Sequence, residues 1–236
     1  NSAEAVIKMD TLPAAMDKIK YELIDGLLKI TAKGVASHAS LPEKGDNAIN
    51  TLLKALTEIL PDEDAAKPLI KTLSDKLSAS DGSGAGIDCK DEVTGALTLN
   101  NGVIKYENGT IFSSFDIRHP VTLDYNEVEK KLKTALEGFE LAEYHCSVGI
   151  HRPKDGKLVS TLQSLYREIS GDTQSEPVAI GGGTYARCLP NAVAFGPKFP
   201  EGNAGGAHTI NEYGDIDELL KAARLYAHCL VSLANS

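Results

Sequence analysis

Between Ala48 and Leu60 the apolar residues fall at 49, 52, 53, 56, 59 and 60. That is the spacing of one face of a helix, and Pro61 stops it. The same period predicts a helix near 66–78, another over 124–136, a fourth in LVSTLQSLYREIS (158–170) and a long last one in DIDELLKAARLYAHCLVSLA (215–234). The apolar stripe of the last helix is Ile216, Leu219, Leu220, Ala223, Ala227, Leu230 and Leu233, with Asp215 and Glu218 as its capping box. A short helix is expected at 12–20.

Strand patterns fill the gaps. GLLKITAKG, ending at Gly34, alternates as a strand does. In VTGALTLNNGVIKYENGTIFSSFDIRHP (93–120), Asn-Gly pairs at 101–102 and 108–109 separate three strand-like runs. Asn-Gly supplies the positive φ of a type I′ turn, so a three-stranded meander is expected, with Arg118 at its end. GFELAEYHCSVGI (138–150) reads as a further strand. Helices on one face of an antiparallel sheet make a two-layer α+β domain, placed here at residues 1–152. From 153 to 236 the pattern changes to helices alternating with short apolar strands, PVAIGGG (177–183) and NAVAFGP (191–197), as in an α/β layer with a parallel sheet. Two such strands leave an open edge that calls for more chain.

Composition narrows the possibilities. The 236 residues carry a formal net charge of -9, which argues against nucleic acid as a partner. No apolar run approaches the roughly 18–20 residues of a membrane span, and no signal peptide is visible, so the expected location is cytoplasmic. The four cysteines, at 89, 146, 188 and 229, fit no metal-knuckle spacing and are expected as reduced thiols.

Four places carry candidate chemistry. His38 stands among small polar residues in GVASHASLPEKGDNAIN (34–50), presented rather than packed. Arg118 ends a strand before His119 and Pro120, where a guanidinium offers a two-pronged donor to a carboxylate, or serves an ordinary salt bridge. AIGGGTYAR (179–187) brings Gly181, Gly182, Gly183, Thr184 and Arg187 into one turn, which either aims N–H groups at an anion or simply packs tightly. His208, in a small-residue loop before the last helix, is a candidate metal ligand or a satisfied loop histidine.

Taken in order, these motifs resemble the zinc-dependent peptidases of the M20 family, most closely its monomeric dipeptidases of the PepV type. GVASHASLPEKGDNAIN, FDIRHP, GGGTYAR and AHTINEY carry the likeness, which covers nearly the whole chain. The resemblance implies a lid domain followed by the end of a catalytic domain that holds two zinc ions. It gives His38 the oxyanion, Arg118 the C-terminal carboxylate of a small peptide, Gly181–Thr184 and Arg187 the same end of the substrate, and His208 one zinc. The family's other ligands and its general base precede the lid and have no counterpart here. The expectation is therefore part of a dipeptidase, inactive without a missing N-terminal half. N-acyl amino acid deacylation, a carboxypeptidase step and a non-enzymatic interaction module are the alternatives.

Overall fold

A computed structural model describes residues 1–37, 41–196, 199, 202, 205 and 211–235. It divides into two compact units, Asn1–Cys146 and Ser147–Ser236. The fold is mixed α/β, with all of its strand pairing antiparallel among the described residues.

The first unit runs β1 (Ser2–Lys8), β2 (Ile19–Ile24), β3 (Leu27–Lys33), α1 (Ala48–Ile59), α2 (Lys67–Leu77), β4 (Lys90–Asp91), β5 (Gly95–Ala96), β6 (Thr98–Glu107), β7 (Thr110–Arg118) and α3 (Tyr125–Ala135). Its sheets are β1-β3-β2, β4-β5 and β6-β7. Central β3 alternates, with Leu28, Ile30 and Ala32 fully buried. Against it lies α1, through Ile49, Leu52, Leu53 and Leu56, and α2 adds Ile70, Leu73 and Leu77. Each such leucine or isoleucine, taken fully out of water, contributes about 1.5–3 kcal/mol. The apolar face of α1 is the one its spacing predicts.

Three expectations in this unit are corrected. Residues 12–20 form no helix. Lys18 has a φ of 63° and Ile19 begins β2, which turns at Asp25 and Gly26 (φ 51° and 73°) into β3. The burial gained by pairing with β3 outweighs local helix preference. The meander has two strands rather than three. Asn108 and Gly109 make the expected turn (φ 52° and 81°), but Asn101 and Gly102 sit inside β6 at a break in register, where Asn101 pairs with Phe115 and Val103 with Ser114. That is a β-bulge, one extra residue absorbed without reversing the chain. Residues 140–150 form no strand, and Leu141, Tyr144 and Val148 are exposed. Alternation alone makes no strand without a ladder to join.

The second unit holds α4 (Lys157–Ser170) and α5 (Ile216–Ala234), packed through Leu162, Leu225 and Cys229, with Tyr166, Val193, Phe195 and Phe199 around them. Asp215 caps α5 by accepting from the N–H groups of Asp217 and Glu218. Residues 178–180 and 191–196, expected as strands of a parallel sheet, join no strand. The expected stripe of α5 is also corrected. Ile216, Leu219, Leu220 and Leu230 are 74%, 53%, 64% and 70% exposed; of the expected stripe Leu233 does pack against the core, and the buried face is Ala222, Leu225 and Cys229. The helix is apolar on two sides, and this unit covers one of them. Among the described residues no helix is long and apolar enough to cross a membrane.

Candidate functional site

The segment that contains His38 is pinched at its base. Val35 N–H donates to Asp46 O at 2.9 Å and Asp46 N–H to Val35 O at 2.8 Å. Gly34 allows the two chain ends to close, since a Cβ there would lie 2.1 Å from Asp46 O. Lys18, just before β2, pairs with the Asp46 carboxylate and braces the same base. His38 itself lies outside the described residues.

Asn47 follows directly. Its Oδ1 accepts from Ile49 N–H at 2.9 Å and caps α1. Its Nδ2 donates to Asn101 O at 2.7 Å and to Asn100 Oδ1 at 3.2 Å. The start of α1 is thereby fastened to β6 beside the bulge. Asn101 is almost fully buried, and its own Oδ1 accepts from Ser113 Oγ at 3.1 Å.

Arg118 closes β7 opposite Thr98, and Asp116 stands opposite Asn100. Arg118 Nε donates to Asp116 Oδ1 at 2.6 Å, with the arginine side chain 36% exposed. Residues two apart on a strand share a face, so the ion pair is built within β7 alone. Just beyond, Thr122 N–H and Oγ1 donate to Asp91 Oδ2 at 3.1 and 2.8 Å, while Val93, Thr94 and Gly95 donate to Asp91 Oδ1. Desolvation pushes the Asp91 carboxyl up, but the Thr94 and Thr122 hydrogen bonds outweigh it and hold the group well below the usual carboxylate range. This clamp fixes the chain just after Arg118. His119 meets Tyr125 edge-on, ring centroids 6.0 Å apart.

In the second unit, Gly181, Gly182 and Gly183 are exposed. Thr184 caps the 3₁₀ turn Tyr185–Cys188, its Oγ1 accepting from Ala186 N–H at 3.3 Å. Within that turn Arg187 folds back so that its guanidinium lies where a Cβ of Gly183 would sit, and Nη1 donates to Ser147 Oγ at 2.8 Å. A positive charge is thus set against the glycine backbone, a combination suited to an anion. His208 lies outside the described residues. Among those described, no group of three or more His, Cys, Asp or Glu is placed to hold a metal ion. The four cysteines are unpaired.

The sequence singled out Arg118, the glycines, Thr184 and Arg187; it placed Asn47 in a motif without giving it a role, and it passed over Asp116. Each left a signal. Asp116 is an acidic residue two before a strand-end arginine, and Asn47 is an N-cap residue ahead of an apolar helix.

Residues 8–232 match the model of peptidase family M20/M25/M40. A protein described as a "putative dipeptidase" in Bacillus subtilis (strain 168) is 37% identical over 247 residues, 99% of this chain and 52% of the relative. Two from Staphylococcus aureus bear the same description. The one from strain MRSA252 is 32% identical over 213 residues, and the one from strain USA300 is 31% identical over 212, each across 88% of this chain and 45% of the relative. The chain spans about half the length of the curated relatives it matches.

Proposed function

The chain belongs to peptidase family M20/M25/M40, and from that premise we propose that it is part of a zinc-dependent dipeptidase acting on small peptides with a free C-terminal carboxylate. In this reading residues 1–152 form the lid and 153–236 the closing portion of the catalytic domain, working in the cytoplasm. The observation that carries it is the 37% identity, across 99% of this chain, to a protein described as a "putative dipeptidase".

The residues have separate tasks. Arg118, steadied by Asp116, grips the substrate carboxylate through a charge-assisted contact and so positions the scissile bond. The N–H groups of Gly181–Gly183, with Thr184 and Arg187, are suited to hold an anionic group of the peptide. His38 donates to the carbonyl oxygen as negative charge builds there, a contribution of about 2.7–4 kcal/mol when such a donor is removed. Carried on a lid, that donor arrives as water is excluded.

A catalytic zinc site takes about three protein ligands, and the reading assigns one, His208, to this chain. Among the described residues no set of side chains fits a metal centre by itself. The remaining ligands and the general base are assigned to an N-terminal half. The bare side of α5 supports this assignment. Ile216, Leu219, Leu220 and Leu230 form an exposed apolar stripe, of the kind that marks an interaction surface.

The test is metal content measured beside kinetics in the full-length protein. His208→Ala is expected to lose metal and turnover together. His38→Ala is expected to keep full metal occupancy and lose mainly turnover. If His38→Ala lost the metal and His208→Ala kept it, the two roles would be reversed; if both variants kept metal and turnover, the reading would fail.

A further inference from the structure

Resting on the proposed roles of His38 and Arg118, we propose that Asn47 is a positioning residue that locks the segment carrying His38 to the strand pair carrying Arg118. Two features of its contacts carry this. First, Asn47 uses both ends of one amide. Capping α1 needs only Oδ1, and serine, threonine or aspartate caps a helix about as well. The donation from Nδ2 to Asn101 O and Asn100 Oδ1 is a second use. An amide, with acceptor and donor on one carbon, can serve both. Second, the receiving carbonyl lies at the bulge. The register breaks between Asn101 and Val103, and a bulge interrupts the ladder locally. Asn47 takes up the main-chain oxygen at that break.

The consequence is geometric. Asn47 follows Asp46, which closes the base of the His38 segment against Val35. Asn100 stands opposite Asp116, the partner of Arg118. One amide therefore connects the base of the His38 segment to the hairpin whose far strand holds the carboxylate clamp. Peptide substrates need both groups at a set spacing, one at the carbonyl oxygen and one at the C-terminal carboxylate. Misplacement of a catalytic group by about 1 Å costs about 10²-fold in rate.

The experiment is a double-mutant cycle in the full-length enzyme, with dipeptide kinetics and thermal melts. Asn47→Ser keeps a cap and removes the amide donor. We expect kcat to fall about 10²-fold with KM nearly unchanged, because Arg118 still holds the carboxylate. In a His38→Ala background the same substitution is expected to cost almost nothing further. Asn47→Asp also keeps the cap and loses both donations, and it is read the same way if Asn47→Ser melts early. A loss of equal size with and without His38 would overturn the proposal, since that is what a purely structural role gives. So would a rise in KM at constant kcat, or unchanged turnover in both variants while His38→Ala is inactive. Full turnover in His38→Ala alone would instead overturn the underlying role of His38, and this proposal with it.

Discussion

Arg118 and Asp116 form an ion pair two residues apart on the same strand, Nε to Oδ1 at 2.6 Å. The contact engages one of five guanidinium N–H donors, and the other four lie on the two Nη atoms. An arginine oriented from behind in this way presents a planar fork at low entropic cost.

Removing Arg118 should therefore distinguish substrates by their C-terminus. On the proposed function, Arg118→Ala in the full-length protein is expected to reduce kcat/KM for free dipeptides by the equivalent of about 2–4 kcal/mol, and far less for amidated ones. Asp116→Ala should shift the same preference in the same direction by a smaller factor. Equal losses on free and amidated substrates would mean that the pair holds the end of β7 in place instead.

Acid should weaken the first unit through Asp91. Its carboxyl is held below the ordinary range by the Thr94 and Thr122 contacts, against the upward push of desolvation. For a depressed carboxylate the folded state binds its proton later than the unfolded one. The stabilisation is therefore complete above the unfolded value, about 3.9 for aspartate, and is lost as pH falls toward the lowered folded value. Urea midpoints measured from pH 7 downward should show Asp91→Asn less stable than the parent at pH 7, with the gap narrowing below about pH 4. A constant gap across that range would contradict the assignment.

Close approach at Gly34 makes a sharper structural prediction. A methyl there meets main-chain atoms of Asp46 and Ala48 rather than flexible side chains. Gly34→Ala should destabilise the first unit by about 1–3 kcal/mol, the usual cost of forcing in extra volume. Hydrogen exchange should show the Val35 and Asp46 amides losing protection. Unchanged protection would mean that the base accommodates the methyl group without opening.

The bare side of α5 predicts separation of stability from assembly. Leu219→Glu with Leu220→Glu should leave the melting of this chain nearly unchanged, because both side chains are already mostly exposed. The same pair should block activity restored by mixing the chain with a separately produced N-terminal half. Restored activity equal to the parent's would show that this stripe is not the covered surface.

How much of this was legible in the sequence depended on whether the information was local. The face of α1, the place of α2 and the turn at Asn108–Gly109 follow from spacing and turn chemistry. Asp25–Gly26 carries the same turn signal, but the helix expected at 12–20 obscured the hairpin it makes. Asn101–Gly102 carries that signal too and makes a bulge instead, because the pairing of β6 with β7 continues past it. Strands at 178–180 and 191–196 needed neighbours that their own residues do not specify. The face of α5 was misjudged because two apolar sides compete and only packing chooses between them. In the candidate site, resemblance assigned roles to His38, Arg118, Gly181–Thr184, Arg187 and His208 that stand as proposals, whereas the contact of Asn47 with Asn100 and Asn101 is non-local and appears only once α1 packs on β6.

The measurement that bears most directly on the central claim is dipeptide hydrolysis, with added zinc, by this 236-residue chain beside the full-length protein. One proposed metal ligand does not make a hydrolytic centre. The expected result is background turnover from the chain alone, verified by intact mass, and zinc-dependent turnover from the full-length protein. Robust turnover from the chain alone, or none from the full-length protein, would contradict the account.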